Sequence, residues 1–184
     1  MRKALTIPQI LNEIVAVEAG YVNHPDDPGG ETIWGITKAV ARRSGYAGDM
    51  RLMTRDAAKA IYLKEYIERP GFALVHAVNP VIAHELIDSG VNLGVAWPGL
   101  WLQRALNSFN DKARLYPDLK VDGNIGPVTV NALKQYLAKR GRDAELVMLT
   151  ALNSLQGVRY MEIGEGREAS ESFTFGWFAK RVVI

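Results

Sequence analysis

The 184-residue chain contains no cysteine, so disulfide cross-links and thiolate-bound metal centres are both excluded. Histidine is scarce as well. His24 has Asp26, Asp27 and Glu31 near it, but His76 and His84 are remote in sequence. These spacings match no zinc or EF-hand pattern, so neither a metal nor a cofactor is expected. No apolar run is long enough to span a membrane, and the opening Met-Arg-Lys-Ala-Leu-Thr-Ile-Pro-Gln lacks the apolar stretch of a signal peptide. The expectation is a chain made in the cytoplasm without a leader and not stably inserted in a membrane. No internal repeat or low-complexity tract stands out. Strand signals are rare too: Thr32-Ile33-Trp34-Gly35-Ile36-Thr37 is the best candidate, so any sheet must be small.

What is present describes a globular, mostly helical protein. Hydrophobic residues make up 48% and charged ones 23%, enough apolar material to build a core without invoking disorder. The net charge of +2 permits attraction to an anionic polymer, whether nucleic acid or cell wall, and chooses neither. The one basic cluster, Lys139-Arg140-Gly141-Arg142, reads as a helix end favoured by its dipole. No recognition motif accompanies it, so no nucleic-acid partner is expected.

Helix punctuation is legible. Thr6 caps a first helix with Pro8 in its opening turn and Gly20 beyond its end. Thr54 opens a helix to about Glu68, stopped by Arg69-Pro70-Gly71, and Asn79-Pro80 opens another that ends between Ser89 and Gly94. Further helices are expected from Pro98 to Asn107, from Pro127 to Arg140, and from an Asp143 cap to about Glu162. A terminal one covers the aromatic stretch from Phe173 to Val183. The short apolar segment Gly94 to Gly99 is the best boundary. It predicts two packed helical lobes, residues 1–95 and 96–184, with a very small β element near residues 32–37.

One residue breaks the pattern. Ile7, Ile10, Leu11 and Ile14 recur with helical spacing, and the next place in that row is taken by Glu18. A carboxyl against apolar surface has its proton held toward neutral pH, as a general acid needs. Asp26 and Asp27 follow in a polar, Pro- and Gly-bearing loop where a carboxylate stays ionised. Two carboxyls so contrasted are what cleavage of a glycosidic bond requires. The plain alternative is a helix-end hydrogen bond at Glu18 and two solvated aspartates. Tyr21 and Trp34 flank this stretch and offer apolar ring faces to a sugar, though either could be core. Val81, Glu85, Asp88 and Asn92 fall roughly on one helical face, where Asp88 and Asn92 either bind sugar hydroxyl and acetamide groups or bond to each other's backbone. Trp97 and Trp101 read as core.

The stretch "EAGYVNHPDDPGGETIWGIT" resembles the signature of glycoside hydrolase family 108, phage and prophage N-acetylmuramidases, with Ala19 in place of the first motif glycine. "ELIDSGVNLGVAWPGLWLQRALN" resembles a second part of these lysins. "VDGNIGPVTVNAL" and "GWFAKRV" are similar to the predicted peptidoglycan domain that follows the catalytic part. The resemblance implies a mainly α, lysozyme-like fold, an endolysin that hydrolyses the β-1,4 bond between N-acetylmuramic acid and N-acetylglucosamine, and Glu18 as catalytic acid. The interval from Glu18 to Asp27, with Thr32 after it, is similar to that of phage lysozymes and favours Asp27 over Asp26, with Thr32 helping to hold a water. Thr37 closes the motif as a further substrate-side residue. The implied partner is the peptidoglycan glycan strand, reached through a holin or secretion machinery. Two rival readings keep the scaffold: a non-catalytic wall-binding module, and a lytic transglycosylase that needs Glu18 but no second carboxylate.

Overall fold

Reciprocal bonds at Thr6 start the first helix. Its hydroxyl accepts from the Gln9 backbone N–H at 3.4 Å, and the Gln9 amide oxygen accepts from the Thr6 N–H at 2.9 Å, closing a capping box. Helix α1 spans Ile7–Val17. The structure is a computed structural model that describes residues 3–17, 20–23 and 30–182. Glu18, Asp26 and Asp27, together with Ala19 and His24, lie outside the described residues.

The chain divides into two compact units, one of Leu5–Arg69 and one of Pro70–Ile184 with Met1–Ala4. In the first, α1 packs on α3 (Arg55–Tyr62), which runs on as a π-helical stretch, Leu63–Glu68. Thr54 caps α3 by accepting from the Ala57 N–H. Ile10, Leu11 and Val15 of α1 are buried, as are Ile33, Ile36, Met50, Met53, Ile61 and Tyr62, while Ile7 and Ile14 are half-buried. The antiparallel sheet has three two-residue strands, β1 (Tyr21–Val22), β2 (Thr32–Ile33) and β3 (Ile36–Thr37), in that order. Helix α2 (Lys38–Arg43), unforeseen in the sequence, follows directly. Six residues are too few for apolar periodicity to show.

Among the described residues the second unit contains helices and no strand. It comprises α4 (Phe72–His76), α5 (Pro80–Leu93), α6 (Ala96–Phe109), α7 (Pro127–Arg140), α8 (Ala144–Gly166) and α9 (Glu168–Arg181). Asn79 caps α5 by accepting from the Ile82 N–H at 2.8 Å, and its amide donates to Glu145 on α8 at 2.7 Å. Helix α5 packs against α4, α6 and α8, burying Val81, Ile82, Leu86 and Ile87. Asp143 does not cap α8 with its side chain, because the preceding 3-10 turn, Gly141–Asp143, carries helical backbone into it. Of the terminal aromatics, Trp177 stacks on the buried Tyr160 with ring centroids 5.1 Å apart, whereas Phe175 is 85% exposed. Trp101 is core, and Trp97 is half-buried under the Arg159 guanidinium. Among the described residues, no helix is long and apolar enough to cross a membrane.

Among the described residues the architecture is mainly α with one very small sheet, as expected.

Candidate functional site

The β2–β3 hairpin organises the first group of candidate residues. Its register pairs Ile33 with Ile36 and Thr32 with Thr37, leaving Trp34 and Gly35 as a two-residue turn. Both have positive φ, 54° and 72°, the backbone of a type I′ turn. A tryptophan there is strained by about 1 kcal/mol or more, and the surroundings hold it. The Trp34 indole N–H donates to the Met53 carbonyl at 2.9 Å, and its own carbonyl accepts from the buried Tyr62 hydroxyl at 3.0 Å. Its ring is half-buried.

The two threonines of the motif are engaged locally. The Thr32 hydroxyl donates to the Gly30 carbonyl at 3.2 Å. The Thr37 hydroxyl caps α2, accepting from the Val40 N–H at 3.4 Å.

Glu31 and Lys38 extend the hairpin by one pair beyond Thr32 and Thr37. The Lys38 N–H donates to the Glu31 carbonyl at 2.8 Å, and the side chains form an ion pair. On the other edge, Tyr21 pairs with Ile33, which places it diagonally to Glu31 on the same sheet face. Its phenol donates to Glu31 Oε1 at 2.9 Å. Lys38 first and Tyr21 second hold the Glu31 carboxyl below its ordinary range. Desolvation, then the neighbouring Glu31 carboxylate, pushes the Tyr21 phenol up. Beside them, Arg51 grips Asp49 with two bonds, Nη2 to Oδ2 at 2.6 Å and Nε to Oδ1 at 3.1 Å, and holds that carboxyl down at about 2.

In the sequence Glu31 stands out only as part of an acidic cluster, and no local pattern singles out Lys38, Asp49 or Arg51. The signal for the first two was the hairpin register: with a two-residue turn at 34–35, residues 31 and 38 must face each other.

Asp88 and Asn92 belong to α5, in the second compact unit. The Asn92 amide donates to the Asp88 carbonyl at 2.7 Å, so these two residues do bond locally. Arg181 of α9 donates to Asp88 Oδ1 at 2.8 Å, a partner 93 residues away that no local pattern announces. The row Val81, Glu85, Asp88, Asn92 runs from core to solvent rather than along one exposed face: Glu85 is fully buried and Asn92 exposed. Ser89 donates to Glu85 at 3.2 Å and in turn accepts from Gln156 of α8 at 2.9 Å.

The Asp122-Gly123-Asn124-Ile125-Gly126-Pro127 turn is built around buried Gln103. Its side-chain oxygen accepts from the Asp122 and Gly123 N–H groups at 3.0 and 2.7 Å. Its amide nitrogen reaches Asp122 Oδ1 at 3.1 Å and the Asn124 carbonyl at 3.0 Å. The approach is so close that a Cβ on Gly99 would stand 2.3 Å from the Gly123 carbonyl oxygen.

Residues 11–94 match the family described as Glycosyl hydrolase 108, and residues 97–182 match the Predicted Peptidoglycan domain. No curated protein sequence matches the chain. Among solved structures, SagA of Brucella abortus superposes with a TM-score of 0.68 at 24% identity, over 96% of this chain and 88% of that one.

Proposed function

From a chain whose residues 11–94 match the glycosyl hydrolase 108 family and whose residues 97–182 match a predicted peptidoglycan domain, we propose the following assignment of roles. The protein is a glycoside hydrolase that acts on peptidoglycan, a muramidase cutting the β-1,4 bond between N-acetylmuramic acid and N-acetylglucosamine. Glu18 is the general acid that protonates the leaving glycosidic oxygen. Asp27 is the ionised carboxylate that orients the attacking water or attacks directly. Tyr21 and Trp34 supply ring surface for the sugar, and Thr32 and Thr37 line the same hairpin. Asp88 and Asn92 serve substrate hydroxyl and acetamide groups, with Arg181 setting the Asp88 carboxylate. Residues 1–95 are the catalytic part and residues 96–184 the wall-directed part. A holin or secretion machinery brings the cytoplasmic product to the wall.

The observation that carries this reading is the β1–β2 pairing. Val22 sits opposite Thr32, so the segments on either side of the Asp26-Asp27 stretch are held side by side, next to Tyr21 and three residues beyond Glu18.

Clearing of permeabilised cells by purified protein is the test. Glu18→Gln keeps the shape without the acidic proton and is expected to lower the rate by roughly 10² to 10⁴ while wall sedimentation persists. Retention of more than about a tenth of the rate removes Glu18 from the mechanism. Asp27→Asn is expected to be far more damaging than Asp26→Asn, and the reverse order moves the role to Asp26.

A further inference from the structure

We propose that Glu31 is a positioning residue: braced by Lys38, it fixes the ring of Tyr21 in the orientation that meets the sugar. The inference rests on the reading of Tyr21 as a sugar-facing ring.

The geometry gives each Glu31 oxygen one task. Oε2 takes the Lys38 ammonium and Oε1 takes the Tyr21 hydroxyl. Lys38 is itself anchored, as the first residue of α2 and by its backbone bond to the Glu31 carbonyl. The bridge therefore spans the whole sheet, from the start of α2 across the middle strand to β1. The bridge is solvent-accessible: the Lys38 and Glu31 side chains are 52% and 23% exposed, and Tyr21 is 38% exposed. Exposed ion pairs of this kind contribute little to stability, so orientation is the effect left for this one to have.

Tyr21 needs such a brace. Strand β1 is only two residues long and both of them are exposed, so packing alone does not fix the ring. A free tyrosine side chain samples several rotamers, and a sugar-binding ring held in one of them binds without the ordering cost. The polarity of the bond matters too. Glu31 stays an ionised acceptor and Tyr21 a protonated donor through the neutral range. The phenol proton therefore points at Glu31, and the oxygen, which the Asn23 side chain also bonds, keeps acceptor capacity for a sugar hydroxyl or acetamide N–H. Among the described residues, the titratable groups around the bridge are Lys38, Asp49 and Arg51. The last two are locked in their own pair, so neither competes for Glu31.

The test is a double-mutant cycle on steady-state hydrolysis of soluble peptidoglycan fragments. Glu31→Ala and Tyr21→Phe are each expected to raise KM about two- to tenfold, the range of one hydrogen bond, with kcat within about twofold of wild type. The double variant should be no worse than the poorer single variant. Glu31→Gln, which still accepts from Tyr21, should recover part of the loss, and Lys38→Met should lie between Glu31→Gln and Glu31→Ala. Thermal unfolding of each variant should stay near wild type. If the two changes add fully, or if Glu31→Ala leaves KM unchanged, the positioning role is wrong. Tyr21→Ala separates the two claims. A raised KM for Tyr21→Ala beside a normal one for Glu31→Ala discards the brace and keeps the ring, and an unchanged KM for Tyr21→Ala discards the ring itself.

Discussion

The hairpin around residues 21–38 and the turn at residues 121–127 use polar side chains in opposite ways. In the hairpin, Tyr21, Glu31 and Lys38 bond to one another at the rim of the sheet. In the turn, buried Gln103 binds backbone N–H and carbonyl groups of the loop itself, and Asp122 accepts from the Asn124 N–H at 2.9 Å. The first arrangement leaves polar surface facing solvent, where a substrate can meet it. The second turns Gln103 inward and fixes a backbone shape, with Asp122 and Asn124 at the surface. The Gln103 contacts of this turn serve its backbone shape first.

The comparison can be broken most severely at α5. That helix lies within the segment matched to the glycosyl hydrolase family, yet it is packed among the helices of the second compact unit. Val81, Ile82, Leu86 and Ile87 are each worth roughly 1.5–3 kcal/mol of burial, a sum comparable with the whole stability of an ordinary domain. A fragment ending at residue 95 is therefore expected to be insoluble or inactive. A folded, monomeric fragment with near-normal activity would make residues 96–184 a dispensable module.

Next in size is the clamp. Gln103→Ala strips partners from several part-buried backbone groups and is expected to cost about 2–4 kcal/mol in urea unfolding. Glu31→Ala should leave the same transition nearly unmoved. Equal losses at the two sites would erase the distinction between them.

A smaller effect appears at alkaline pH. Burial pushes the Tyr116 phenol up to about 12, and its hydroxyl donates to the Leu106 carbonyl at 2.7 Å. Unfolded tyrosine titrates near 10, so the stabilisation is full below about pH 10 and is lost as pH rises toward the folded value. The stability advantage of wild type over Tyr116→Phe should shrink across that window. An advantage that grows there would contradict the assignment.

Much of the fold was legible because helix starts are written locally. Thr6, Thr54 and Asn79 each cap the helix their sequence context announces. Asp143 was misleading because a cap needs extended backbone, and its φ of −90° and ψ of −5° keep it in the helical region. The strand run at 32–37 was visible, but its turn was obscured by a tryptophan at positive φ, a conformation usually left to glycine or asparagine. Once that turn is known, the Glu31–Lys38 pair follows by counting. Nothing comparable exists for Arg181 on Asp88, since that contact depends on how α9 returns to α5. The inward turn of Glu85 was hidden for a related reason: a helix carries its row of side chains from core to solvent as it proceeds, and the sequence does not show where the neighbouring helix ends.

Hydrolysis of the glycan strand at the muramic acid linkage is tested by mass spectrometry of the products from purified peptidoglycan. The expected products are muropeptides ending in a reducing N-acetylmuramic acid, with one oxygen from bulk ¹⁸O-labelled water at each new end, formed roughly 10² to 10⁴ times more slowly by Glu18→Gln. Products carrying a 1,6-anhydro ring, reducing N-acetylglucosamine ends, or no cleavage by the wild-type protein would contradict it.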